Sequence, residues 1–169
     1  MPRDEEMRWF VDQTSLGLAK ALAMLRGDVV YPGHRRGAAE IPEGCKDPVW
    51  MPVVARLGLV VISRDRHIKS KQGELEAYLA LGLRAFWIAG DKDLGNWENL
   101  CRIVKYWDRM ERIVEARPKG PWFFAVNAGG LTEFTVRPRR LPRRPPAATS
   151  QYRPEATSKG EQLSLDLER

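Results

Sequence analysis

The chain has 169 residues, 43% apolar and 30% charged, with a formal net charge of +6. This is the composition of a globular domain of ordinary size with a sizeable core, and no apolar run approaches the roughly 20 residues that span a bilayer. The opening MPRDEEMRWF has no apolar stretch of secretory type, so no signal peptide and a cytoplasmic location are expected.

Arg8–Gln13 reads as a first strand. SLGLAKALAMLRG then carries Leu16, Leu18, Ala19, Leu22 and Leu25 near helical spacing, with Ser15 as N-cap and Gly27 as the stop. DVVYP is a short second strand, and HRRGAAEIPEGCK has loop composition. DPVWMPVVARLG predicts a helix capped by Asp47, with Pro48 at its first position and Pro52 set awkwardly inside. A third strand, Leu59–Ser63, leads to a helix around Glu74–Leu81 that Gly82 closes. LRAFWIAG is a fourth strand. The longest amphipathic stretch follows Asn96, with Trp97, Leu100, Ile103, Val104, Trp107, Met110, Ile113 and Val114 on one apolar stripe and Pro118 beyond its end. PWFFAVN is a last parallel strand, and GGLTEFTV pairs with it as an edge hairpin.

Strands alternating with helices predict an α/β fold in three layers: a central, mostly parallel sheet flanked by helices. Composition breaks at residue 137. From Arg137 to Arg169 there are eight Lys and Arg against four Asp and Glu, which leaves a surplus of only about +2 on the preceding residues. Residues 1–136 are therefore expected to form one domain and 137–169 a disordered basic Pro/Arg-rich tail. Cys45 and Cys101 have no zinc-like spacing and read as structural thiols of a reducing compartment.

Ligands of open α/β sheets gather outside the carboxyl ends of the strands. Asp12 ends the first strand, Asp65 follows the third, and Asp91 and Asp93 follow the fourth. Asp47 opens a helix that can point at the same edge, where Glu40 and Glu43 could compete with it. Carboxylates crowded together repel unless a cation sits among them, and a hard divalent ion with oxygen ligands answers that need. Such an ion polarises a phosphodiester and activates water, so the pattern suggests metal-dependent phosphodiester hydrolysis. Each acid also has a plain alternative as a helix cap or turn residue.

The stretches FVDQTSLGLAKALAMLRGDVV and KDPVWMPVVARLGLVVISRDRHI resemble the PIN-like nucleases, and most closely the branch related to VapC-type toxins. The resemblance implies a PIN-like fold and metal-dependent cleavage of RNA, with Mg²⁺ or Mn²⁺ as cofactor. It places Asp12, Asp47, Asp65 and Asp91 or Asp93 as metal ligands, with Ser63 in the hydroxyl-x-Asp signature orienting a carboxylate or water. It also gives Arg64, Arg66, Lys69 and Lys71 a role in holding substrate phosphates. A cognate antitoxin and a homodimer are the partners it implies. His67 lies in the same run, and Trp50 is a candidate for stacking on a base.

In the tail, RPRRLPRRPP would bind nucleic acid without sequence preference or dock on an acidic partner. Gln162, Leu163, Leu165 and Leu167 resemble the short peptide by which bacterial proteins dock on the replication sliding clamp. A clamp contact would move the substrate from RNA towards DNA. The competing reading is a non-catalytic PIN-like adaptor that binds nucleic acid or the clamp through its tail.

Overall fold

The sheet is built from short strands whose alternate side chains enter two different cores. In β1 (Trp9–Val11), Trp9 and Val11 join one buried cluster while Phe10 joins the other. β3 (Val60–Ser63) repeats the division, with Val60 and Ile62 on one face and Val61 on the opposite one. A strand buried on both faces reads as a continuous apolar run, and VVI does. The structure is a computed structural model and describes residues 6–37, 39–64, 72–90 and 94–136.

The remaining strands are β2 (Val29–Val30), β4 (Arg84–Ile88), β5 (Trp122–Asn127) and β6 (Gly130–Glu133). Their order across the sheet is β2-β1-β3-β4-β5-β6, parallel throughout except for β6, which returns antiparallel to β5. The helices are α1 (Leu16–Leu25), α2 (Asp47–Arg56), α3 (Gln72–Ala80) and α4 (Asn96–Ala116). Leu18 and Leu22 of α1 share a core with Ile103, Trp107 and Met110 of α4. Trp50 and Val54 of α2 share the other with Tyr78 of α3. The result is the expected three-layer α/β sandwich. Among the described residues, no helix is long and apolar enough to cross a membrane.

Local departures from expectation have local causes. Ser15 does not cap α1 with its side chain; it is buried, and Asp12 instead accepts from Thr14 N–H to cap a 3₁₀ turn over Gln13–Ser15. Asp47 is the first residue of α2 rather than its cap, with Pro48 next and Pro52 retained inside the helix. On α4 the apolar stripe is wider than the sheet can cover. Ile103, Trp107, Met110 and Val114 are buried, whereas Trp97 and Val104, on one flank, are exposed. Leu25, at the last position of α1, is exposed as well.

Candidate functional site

The sheet's topology marks one crevice. From β1 the chain moves outward to β2, then crosses back to place β3 on the other side of β1. Strand order therefore reverses between β1 and β3, and a crevice opens there at the carboxyl ends, the usual ligand position of such sheets. Asp12 and Ser63 stand at those two ends. Asp12 N–H donates to Ile62 C=O at 3.1 Å, extending the β1–β3 ladder one residue past β1. The period-two alternation then puts Asp12 with Phe10, and Ser63 with Val61, on the sheet face that α2 and α3 cover.

Asp12 and Ser63 are both buried. The Ser63 hydroxyl donates to Asp12 Oδ2, while Asp12 Oδ1 accepts from the Thr14 hydroxyl and, at 3.0 Å, from Thr14 N–H. A carboxylate offers about four lone-pair positions, so three accepted bonds leave one free to meet a ligand. Arg64 N–H reaches the Thr14 hydroxyl at 3.4 Å, which ties the chain after β3 to the turn after β1.

Asp47 enters from α2. Trp50 Nε1–H donates to Asp47 Oδ1 at 2.9 Å, and the Trp50 ring packs on Phe10 with centroids 4.9 Å apart. Residues 47 and 50 lie three apart and share one side of the helix, so the indole can pack in the core while its N–H steadies the carboxylate at the rim. This corrects the expectation for Trp50: it is fully buried and cannot stack on a base. Glu40 is held by Arg56 at 2.8 Å, and it is Asp47, not Glu40 or Glu43, whose charge bears on Asp12.

Electrostatics at this corner are dominated by burial. Desolvation pushes the Asp12 carboxyl up to about 6; the Ser63 and Thr14 hydrogen bonds oppose that, and the Asp47 charge adds to it. A buried carboxylate that resists ionisation, beside a second carboxylate, is the environment a positive ion relieves. The donors are hard oxygens, and Mg²⁺ is commonly held by one or two carboxylates with water completing its shell. Asp12 and Asp47 thus fit such an ion. Among the described residues, no third histidine, cysteine or carboxylate joins them.

Asp65, Arg66, His67, Lys69 and Lys71 lie outside the described residues, as do Asp91 and Asp93 and the tail with Gln162, Leu163, Leu165 and Leu167. The positions they follow are placed: β3 ends at Ser63, and β4, its neighbour, ends at Ile88. Two contributors went unread in the sequence, Thr14 and the indole N–H of Trp50. A hydroxyl two residues past a strand-ending Asp was the available signal for Thr14, since such short side chains bond locally at turns.

Fold and site together define a doubly wound α/β protein with a buried carboxylate at its switch point. The family model described as a PIN like domain matches residues 7–90, from the start of β1 to just past β4. The match, which includes Asp12, Asp47 and Ser63, supports a PIN-like domain over this part of the chain. No curated protein and no solved structure matches.

Proposed function

We propose that this chain is a metal-dependent endonuclease that hydrolyses phosphodiester bonds, acting on RNA in the manner of the VapC-type toxins. PIN-like domains are commonly nucleases, and the observation that carries the reading is the buried Asp12 carboxylate, held by Ser63 and Thr14 at the β1/β3 switch point within reach of the Asp47 charge. Asp12 and Asp47 would hold Mg²⁺ or Mn²⁺, joined by Asp65 and by Asp91 or Asp93 from the segments after β3 and β4. When bound, the ion supplies Lewis acidity at the phosphate and lowers the pKa of water.

The chain's own residues do the rest. Ser63 and Thr14 keep the Asp12 carboxylate in one orientation and favour its charged form. Trp50 fixes Asp47 against the same corner. Burial of Asp12 and Ser63 excludes bulk water, which strengthens each interaction made there. Arg64, Arg66, Lys69 and Lys71 would hold the phosphates on either side of the bond to be cut. A cytoplasmic location and a cognate antitoxin belong to the same proposal.

The test uses the full chain with single-stranded RNA and DNA oligonucleotides in Mg²⁺, in Mn²⁺ and in EDTA. Internal cleavage of RNA that needs the metal and is lost in Asp12→Asn is the expected outcome. Binding of either nucleic acid without cleavage in any metal would overturn the nuclease reading in favour of an adaptor.

A further inference from the structure

The first turn of α1 follows Asp12 and its 3₁₀ turn directly, so it stands at the carboxyl edge of the sheet beside the β1/β3 crevice. In doubly wound sheets this first βα turn is where a phosphate group is received, because the helix turns its leading N–H groups and the positive end of its dipole to the ligand. That end of α1 is open here. No acidic residue lies in its first turn, and Ser15, at the N-cap position, makes no side-chain bond to the helix. Ser15 is only 4% exposed, and its hydroxyl has no hydrogen-bond partner among the described residues. A buried hydroxyl without a partner destabilises a fold, so one kept at a helix N-terminus points to a ligand that supplies the partner. α4 begins against the same turn: a side chain on Gly17 would collide with the Asn96 carboxamide. Asn96 is exposed, and its amide is bonded to no other described residue. The acids nearby in sequence are engaged already. Glu98 accepts from Gly95 N–H at 2.8 Å, and Asp12 accepts from Ser63 and Thr14.

We propose that the start of α1, with Ser15 and Asn96, is a subsite for a backbone phosphate of the RNA strand, beside the phosphate that the Asp12 corner would cleave. The inference rests on the nuclease reading for its substrate. A 3₁₀ turn rises about 2 Å per residue, so Ser15 stands roughly 6 Å along the chain from Asp12, a step that one or two nucleotides of a strand cover. The donors are a hydroxyl, a carboxamide and a helix end, all uncharged. They fix the register of the strand against Asp12 by direction rather than by net charge, whereas Arg64 on the other side of the crevice acts by charge. Arg64 N–H, bonded to the Thr14 hydroxyl at 3.4 Å, ties the two sides together.

Binding of single-stranded RNA to the full chain is read by fluorescence anisotropy in EDTA, where metal-dependent cleavage is off. Ser15→Ala is expected to weaken binding about tenfold, the loss of one hydrogen bond to a charged group. It should melt at the wild-type temperature or above, because an unpaired buried hydroxyl is gone. Asn96→Asp keeps the shape and adds a negative charge where two helices begin, which favours the fold. It is nevertheless expected to weaken RNA binding at least about tenfold, by repelling the phosphate. Oligonucleotides carrying one uncharged methylphosphonate linkage at a time locate the contact: one position should weaken binding to wild type and leave Ser15→Ala unaffected. A Ser15→Ala protein that binds RNA as tightly as wild type would overturn the proposal, whatever its melting temperature. A melting temperature raised by inorganic phosphate in wild type but not in Ser15→Ala, with no sensitive linkage in the RNA, would assign the site to free phosphate and overturn it as a strand subsite. Binding in the expected pattern without cleavage in Mg²⁺ would end the nuclease reading and leave the subsite standing.

Discussion

Ser63 Oγ donates to Asp12 Oδ2 across the boundary between β3 and β1, joining residues 51 apart in sequence within the buried corner of the sheet. The bond is charge-assisted and shielded from water, so it bears on both the orientation and the ionisation of Asp12.

Ser63→Ala removes that donor. Because the hydrogen bond lowers the Asp12 pKa, its loss leaves the carboxyl harder to ionise. Cleavage at pH 7 is expected to fall about tenfold, on the scale of one charged hydrogen bond, and to recover part of the loss at pH 8 to 9. Ser63→Thr, which keeps the hydroxyl, should retain most activity. A pH–rate profile checks this; an acid limb in the same place for wild type and Ser63→Ala would contradict it.

Stability in EDTA should fall as pH rises. The Asp12 carboxyl titrates at about 6 in the folded chain, against 3.8 for an ordinary Asp. Between those values the folded state binds more protons than the unfolded one, so its stability is greatest below about pH 4. It is lost as pH rises through 6. A displacement of this size corresponds to roughly 3 kcal/mol. Urea melts from pH 4 to pH 7, compared between wild type and Asp12→Asn, isolate the contribution; equal slopes in the two proteins would count against it.

Trp50→Phe keeps an aromatic ring on Phe10 but withdraws the N–H from Asp47. The expected cost is about 1 kcal/mol of stability, together with a several-fold rise in the Mg²⁺ concentration giving half-maximal cleavage, since Asp47 is no longer held. Titration of activity with Mg²⁺ reads the second effect. An unchanged requirement would mean that Asp47 takes no part in holding the ion.

Much of the fold was legible from periodicity. VVI and AFWI are runs buried on both faces, WFFAVN is fully buried on the face of Trp122, Phe124 and Val126, and a parallel sheet follows from the helices between them. The place of Trp97 on the α4 stripe follows from spacing, while its burial depends on where the sheet and α1 stop, and the side chain is exposed. Asp12 was legible as a strand-ending acid, yet its raised pKa was not, because desolvation arises only once the fold buries the corner between β1 and β3. Trp50 was misassigned for the same reason: adjacency to Asp47 in sequence says nothing about which way the indole points.

The proposed chemistry turns on Asp12 as a charged group that holds a metal. The most direct measurement is thermal unfolding of wild type and Asp12→Asn with and without Mg²⁺ at pH 7, with RNA cleavage read on the same samples. Asp12→Asn is expected to melt higher than wild type in EDTA, because a desolvated charge is gone, to gain nothing from Mg²⁺, and not to cleave. Wild type should rise with Mg²⁺ and cleave. An Asp12→Asn protein that is stabilised by Mg²⁺ as much as wild type, and cuts RNA as fast, would contradict the account.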